Sequence, residues 1–430
     1  MDSAPAVLAP PTVVMKFGGT SVADAERIKR AAGRIVAKRE EGKRVVAVLS
    51  ARGQTTDELI KMAEEVSPFP DPREMDMLLS TGERQSCALC AMAINDLGHR
   101  AISLTGSQAG IVTDTSHTKA RILDVRADRI REALDDDRIV LVAGFQGVST
   151  SRDVTTLGRG GSDTTAVAVA AALGAEICEI YTDVSGVFTA DPRIVPDARK
   201  LPYVSFEEML EMAASGAKVL QLRSVEYART HGVRMSCRSS FQDAPGTVVL
   251  GEEETMEHPL ITAVTHSTEE ARITLLGVPD RPGAAAMIFR ALAEANCNID
   301  TIIQNLPLGQ GGENAEVSFT VPGEDLRAAQ AALDPVIREL DVAQVKTDQE
   351  IGKVSIVGAG MRSHPGVAAT VFETLAEEGI NIETISTSPI KISCVIRSEF
   401  VPDAVRALHD AFELGDGAIQ QERPIGQEAR

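Results

Sequence analysis

Lys16 stands one residue before the end of the apolar run Thr12–Phe17 and two residues ahead of Gly18-Gly19-Thr20-Ser21. A lysine there sets a compact positive charge beside backbone amides that no Cβ shields, a combination that neutralises polyphosphate. A second stretch, Thr155-Thr156-Leu157-Gly158-Arg159-Gly160-Gly161-Ser162-Asp163-Thr164-Thr165, puts three glycines, one arginine, one aspartate and several hydroxyls into eleven residues. It runs into the small, apolar, helix-forming residues 166–174. A glycine-rich turn feeding a buried helix is an anion site, because the helix N-terminus supplies unpaired N–H groups and a partial positive charge. Asp163 falls near the start of that helix, where an aspartate also serves as a cap; the two roles can coexist.

Other chemistries are excluded by what surrounds these stretches. No GxxxxGK[ST] motif occurs, and Gly158-x-Gly160 leads to Asp163 rather than to the third glycine of a dinucleotide fingerprint. Cys87-Ala-Leu-Cys90 is a lone CxxC in an apolar, helix-like run, which reads as two small buried hydrophobes rather than a metal or redox site. The net charge of −19 argues against nucleic acid or an anionic membrane as partner, and the absence of tryptophan argues against base-stacking platforms. No run approaches the length of a membrane span and no basic leader is present, so the expected location is cytoplasmic, with reduced thiols.

These groups need elements to hold them, and 430 residues suffice for about two or three domains. Residues 1–11 read as a Pro/Ala-rich leader. Thr12–Phe17 reads as a buried strand, 24–38 as a helix with Ile28, Ala32 and Ile35 on one face, and Arg44–Leu49 as a second strand ending at Ser50. Residues 57–65 and 75–97 carry helical spacing, the latter broken at Thr81-Gly82-Glu83; Ala101–Leu104, 139–145 and 177–181 read as further strands. Strand, polar turn and helix in repetition predict an α/β domain with a mainly parallel sheet flanked by helices. Ligands bind at the carboxyl ends of such strands, where Lys16, Ser50, Thr56, Asp163 and Asp183 all fall.

Residues 246–260 read as a linker. Beyond it, Pro282-Gly283-Ala284 and Asn298-Ile299-Asp300-Thr301-Ile302 recur as Pro365-Gly366-Val367 and Asn381-Ile382-Glu383-Thr384-Ile385, at a constant offset of 83 (365 − 282). Each copy reads strand, Pro-Gly turn, helix, strand, strand, helix, with the middle strands starting at Asn298 and Asn381. The second copy ends in Gln420-Gln421-Glu422-Arg423, a poor final strand, and the run 261–266 is placed to substitute for it.

Lys16–Ser21, Gly158–Thr165 and Tyr181-Thr182-Asp183-Val184-Ser185-Gly186-Val187-Phe188-Thr189-Ala190-Asp191-Pro192-Arg193 together resemble the amino-acid-kinase family. With two repeats that resemble ACT regulatory modules, the likeness is to its monofunctional aspartate kinases and covers residues 12–425. The resemblance implies an amino-acid-kinase fold over 12–245, the linker 246–260, a first ferredoxin-like βαββαβ ACT module over 261–348 and a second over 349–425. It implies transfer of phosphate from ATP, with Mg²⁺, to the side-chain carboxylate of L-aspartate, the first step of lysine, threonine and methionine synthesis.

The resemblance also assigns roles. Lys16 and Asp163 are the catalytic pair, the aspartate orienting the lysine. Lys16, Phe17, Gly18, Gly19, Tyr181, Thr182, Asp183, Phe188, Asp191, Arg193 and Lys218 are the nucleotide contacts, with Gly18 and Gly19 offering amides to phosphate. Ser50, Thr56, Glu83, Arg159, Gly160, Gly161 and Ser162 are the aspartate contacts, Arg159 on the α-carboxylate and Glu83 on the ammonium. Thr56 reads equally as the cap of its helix. Asp280, Asn298, Ile299, Asp300, Gln304, Val367, Asn381 and Ile382 are effector contacts for threonine, lysine or both. No residue is assigned as a metal ligand. Pro307 and Pro389 depart from the related pattern near that pocket.

A homodimer or larger homo-oligomer is implied, and Met256 stands where some relatives start a free regulatory subunit, here residues 256–430. Two other readings compete. Acetylglutamate and uridylate kinases share the fold class but lack the paired repeats, and a non-catalytic amino-acid sensor should have lost Lys16 or Asp163.

Overall fold

The computed structural model describes residues 10–251, 260–305, 314–364 and 366–415. The leader, Met256, Pro307, Pro365 and residues 420–423 lie outside them. The centre is an eight-stranded sheet in the order Tyr203–Ser205, Thr247–Leu250, Met235–Ser239, Ile177–Thr182, Thr12–Phe17, Arg44–Leu49, Ile139–Ala143 and Ala101–Leu104. Every neighbouring pair is parallel except Met235–Ser239 with Thr247–Leu250. The central strands are runs of β-branched and aliphatic residues buried on both faces, as a parallel sheet between helix layers requires.

One helix layer holds Ala25–Glu40 and Thr81–Asp96, whose Ile28, Ile35, Cys87, Cys90 and Ile94 are buried against the sheet. The other includes Asp128–Asp135, Gly161–Leu173, Phe206–Ala214 and Leu222–His231. A smaller sheet, Ile122–Val125, Ile111–Thr113, Gln146–Ser149 and Val154–Thr156, leads the chain into the glycine turn.

Three expectations are corrected. The helical run expected over 75–97 is two helices, Pro72–Leu79 and Thr81–Asp96, and the break falls at Ser80 rather than at Thr81-Gly82-Glu83. Pro72 suits the first helical turn, where its missing N–H costs nothing, and Asp71 caps the Arg73 and Glu74 amides. The linker expected from 246 starts later, since Thr247–Leu250 joins the main sheet and buries Val249 and Leu250. The middle strands of the repeats begin at Ile302 and Thr384, so Asn298 and Asn381 lie in the preceding connections.

The first repeat forms a sheet in the order Ile302–Asn305, Asn314–Pro322, Glu270–Pro279, Gln344–Asp348; Ala284–Glu294 and Leu326–Glu339 bury Ile288, Leu292 and Leu333 in its core. In the second the order is Ala263–Ser267, Ile351–Val357, Lys391–Arg397, Thr384–Ser388. Ala263–Ser267 pairs antiparallel with Ile351–Val357 and takes the place that Gln344–Asp348 takes beside Glu270–Pro279. Helices Val367–Glu377 and Val401–Ala411 cover this second sheet. Its core also takes in Ala190 and Val195, with Ile194 and Ala198 packed alongside, all four from the segment that follows Phe188. Among the described residues no helix is long and apolar enough to cross a membrane.

Candidate active site

The site gathers at the carboxyl ends of adjacent central strands. Lys16 sits in register with Val48 on one side and Ile180 on the other. Its ammonium forms an ion pair with Asp163, and the two side chains are only 11% and 7% exposed. Asp163 is the third residue of the helix Gly161–Leu173. It is not the cap of that helix: Gly160 is, in the left-handed conformation (φ 72°), and no side chain caps the turn. A side chain at Gly160 would be strained by that φ and would collide with Gln221. The Gly161 amide donates to the Gly158 carbonyl at 3.0 Å, which leaves the amides of Ser162 and Asp163 in this first turn to receive an anion. Phe17 and Tyr181 stack with ring centroids 4.8 Å apart and lock the two neighbouring strand ends.

Gly18 departs from its expected role. Its amide donates to the Tyr181 carbonyl at 3.2 Å, so that N–H is not offered to a phosphate. The carbonyl of Gly19 accepts the Gly53 amide and that of Phe17 accepts the Ser50 amide, which ties the two turns together.

Glu83 lies across from these turns, in the first turn of Thr81–Asp96, and is 3% exposed. Its Oε1 accepts the Ala51 amide at 3.2 Å, while Oε2 is buried with no hydrogen-bond partner. Burial pushes the carboxyl up to about 7, against the pull of the Ala51 amide. A buried carboxylate oxygen with no partner has the capacity to accept from a ligand, and the resemblance expects an ammonium group there. If Glu83 does that, kcat/KM for an amino-acid substrate rises from about pH 6 to about pH 8, because the ionised form forms through that range. Glu83→Gln should flatten the rise, and a steep rise surviving in that variant would remove Glu83 from the ammonium site.

Ser50 and Thr56 are half-buried close by, Thr56 in the first turn of Thr55–Val66. Gln54 occupies the cap position with no side-chain bond, so the reading of Thr56 as a cap is set aside. Arg159 is not drawn into this cluster: its side chain is 89% exposed and reaches Glu324 of the first repeat at 3.7 Å. Lys218 likewise pairs with Glu269. These are exposed pairs of the kind worth about 0–1 kcal/mol, which a ligand can displace.

Thr182 donates to its neighbour Asp183 at 3.0 Å. Phe188 bridges to Lys200 and closes a loop that carries Asp191 and Arg193. Arg193 folds back on Asp191 at 2.6 Å, and that hydrogen bond holds the Asp191 carboxyl below its ordinary range. Among the described residues, the group with metal-ligand types in reach of one another is Asp197, His409 and Asp410, where that loop meets the second repeat, not beside Lys16.

In the repeats, Asp280, Asn298, Gln304 and Asn381 are exposed, and Ile299 and Ile382 pack half-buried against the two cores. Asp300 accepts a 2.6 Å bond from Lys353, a buried lysine on the first strand of the second repeat that also pairs with Glu270. A cavity of about 430 Å³ opens at the second Pro-Gly turn, lined among others by Val367, Ser388 and Pro389. A second, of about 620 Å³, lies between the repeats beside Glu383, the counterpart of Asp300 in the second copy, and beside Arg272 and Asp348, which carry no signal in the sequence.

Comparison with known proteins places this geometry. Residues 11–239 match the model of the amino acid kinase family, and residues 272–338 and 354–412 each match an ACT domain. The chain is 59% identical over 406 residues to the aspartokinase of Mycolicibacterium smegmatis, covering 94% of this chain and 96% of that one. It resembles the crystal structure of E. coli aspartokinase III in complex with aspartate and ADP (R-state), at a TM-score of 0.80, 26% identity and coverage of 93% and 99%. The same enzyme in complex with lysine and aspartate (T-state) gives a TM-score of 0.71 at equal identity and coverage. With a glycine turn, a lysine–aspartate pair and two ACT domains in one chain, this protein belongs to the aspartokinases of the amino acid kinase family.

Proposed function

We propose that this kinase transfers the γ-phosphoryl group of ATP to the side-chain carboxylate of L-aspartate, with threonine, lysine or both as feedback effectors. The single observation that carries the reading is the buried Lys16–Asp163 pair at the strand ends, flanked by an uncapped helix N-terminus. The nucleophile is a carboxylate, ionised at neutral pH, so no general base is needed; the obstacles are charge repulsion and alignment. Lys16 lies along the β/γ-phosphates and stabilises the transferring group, and Asp163 holds its ammonium in place. Glu83 takes the substrate ammonium, and Arg159 turns from Glu324 to clasp the α-carboxylate in a fork. Tyr181, Thr182 and Asp183 border the nucleoside, with Phe188, Asp191, Arg193 and Lys218 around the phosphates.

Magnesium would come to this site on the nucleotide. Bound there, it would neutralise phosphate charge. Turnover of ATP with L-aspartate, trapped as the hydroxamate, tests the assignment, and no product with aspartate would sink it.

The kinase unit runs from residue 12 through Leu250, and the two ACT domains form the regulatory half. Exposed edge strands such as Ile302–Asn305 favour pairing between chains, so the working form is at least a dimer, open to a partner equivalent to residues 256–430. The lysine complex of E. coli aspartokinase III supports lysine as an effector here. An effector acts only by binding one arrangement better than another. Asp280→Ala or Asn298→Ala is therefore expected to relieve inhibition with kcat little changed. A monomeric enzyme, or a rate indifferent to millimolar threonine and lysine together, overturns this regulatory reading.

A further inference from the structure

We infer that Asp76 is a positioning residue that sets the separation between the two ends of the amino-acid site, an inference that rests on the substrate reading above. Asp76 lies on the helix Pro72–Leu79, four residues before the break at Ser80, and is fully buried. Nothing in the proposed chemistry uses it. An unpaired carboxylate in such a place is costly, and this one is saturated with donors. Its Oδ2 accepts from His117 Nδ1 at 2.7 Å, and the Thr118 amide donates to both oxygens at 3.1 and 3.2 Å. Its Oδ1 also accepts from the Thr156 hydroxyl at 2.5 Å.

Two of those partners, Thr156 and Thr118, lead to the glycine turn. Thr156 is the last residue of the strand Val154–Thr156, three residues before Arg159. The carbonyl of Thr156 accepts the Ala120 amide at 2.9 Å, so Asp76 grips both sides of that contact. Gly158, with φ 76°, sits so close to the Thr118 carbonyl that a Cβ there would lie 3.1 Å from it. Thr118 therefore borders the residue next to Arg159.

On its other side, the helix of Asp76 continues through Ser80 into the helix of Glu83. Gln146 Nε2 donates to the Ser80 carbonyl at 2.9 Å, and Arg84 bonds both the Gln146 side chain and the Ser80 hydroxyl. One buried carboxylate thus ties the backbone that carries Glu83 to the backbone that carries Arg159. Those are the groups assigned to the ammonium and the α-carboxylate of one small substrate. A site built from two elements keeps its spacing only if something rigid joins them.

The test is a split between Michaelis constants. Asp76→Asn keeps the shape but turns an amide N–H₂ toward the donors it should accept from. Thr156→Val removes a single bond, keeps the volume and guards against the case where Asp76→Asn fails to fold. In the full-length enzyme both variants are expected to raise KM for aspartate by about fivefold or more, with KM for ATP within about twofold. Thr156→Ser, which restores the hydroxyl, should return KM to within about twofold of wild type. A lower Tm with both Michaelis constants unchanged, or equal rises in the two, overturns the inference and leaves Asp76 as a support of the fold. A wild-type enzyme without activity on aspartate sinks the substrate reading beneath it. Activity that responds to Arg159→Lys but not to Thr156→Val or Asp76→Asn sinks only the positioning role.

Discussion

Replacing Lys16 with alanine is expected to lower kcat by roughly 10²–10³-fold, the scale of losing one preorganised group aimed at developing charge. The lysine is held by a buried partner at a strand end, so its ammonium is already placed before nucleotide arrives. That preorganisation is what makes the loss fall on kcat rather than on KM for ATP. Removing it also leaves Asp163 buried and unpaired, so Tm should fall as well, and the rate must be taken on the folded fraction. Asp163→Asn provides the complementary measurement: the cation stays but loses its charged partner, and kcat should drop while KM for aspartate moves little. A Lys16→Ala enzyme that turns over at the wild-type rate would remove Lys16 from the chemistry.

Arg159→Lys is expected to raise KM for aspartate on the order of 10- to 100-fold while KM for ATP stays nearly constant. Lysine keeps the charge but cannot make two parallel bonds to a carboxylate. The exposed contact between Arg159 and Glu324 at 3.7 Å is weak enough for a substrate to displace. Steady-state kinetics with each substrate varied in turn decides the matter. Equal rises in both constants would place Arg159 on the phosphates instead.

What could be read from the sequence depended on how local each signal was. Lys16, the glycine turn and Asp163 announce themselves because glycine, lysine and aspartate at strand ends have few other uses. The repeat was visible for a similar reason, since a constant offset of 83 needs no knowledge of packing. Glu83 shows the limit. On a helix, Glu83 looks like Glu74, yet one is buried with a free oxygen and the other is exposed. Only the tertiary fold separates them, and resemblance rather than periodicity singled out Glu83. Asp76 had not even that help. The small sheet leaves no mark in the sequence because strands of three or four residues carry too little alternation. Thr247–Leu250 reads as linker because Pro245-Gly246 looks like the end of a domain, although Val248 and Val249 pair with Tyr203 and Val204.

The segment after Phe188 has a consequence for how this protein melts. Ala190 and Val195 are 5% and 2% exposed because they sit in the core of the second ACT domain. Thr189 reinforces the junction: its hydroxyl pairs with the buried His409 at 3.0 Å, and its carbonyl accepts the Val264 amide at 2.8 Å. The two halves of the chain therefore do not meet as separate bodies across a wet boundary; they share one apolar interior. Cutting the chain near residue 250 would uncover that interior on both fragments, and the kinase half alone would lose the packing that shapes its loop. Heat should accordingly dissolve the second ACT domain and the loop after Phe188 in one cooperative transition, whereas the first ACT domain, which keeps its own core, is free to open at a different temperature.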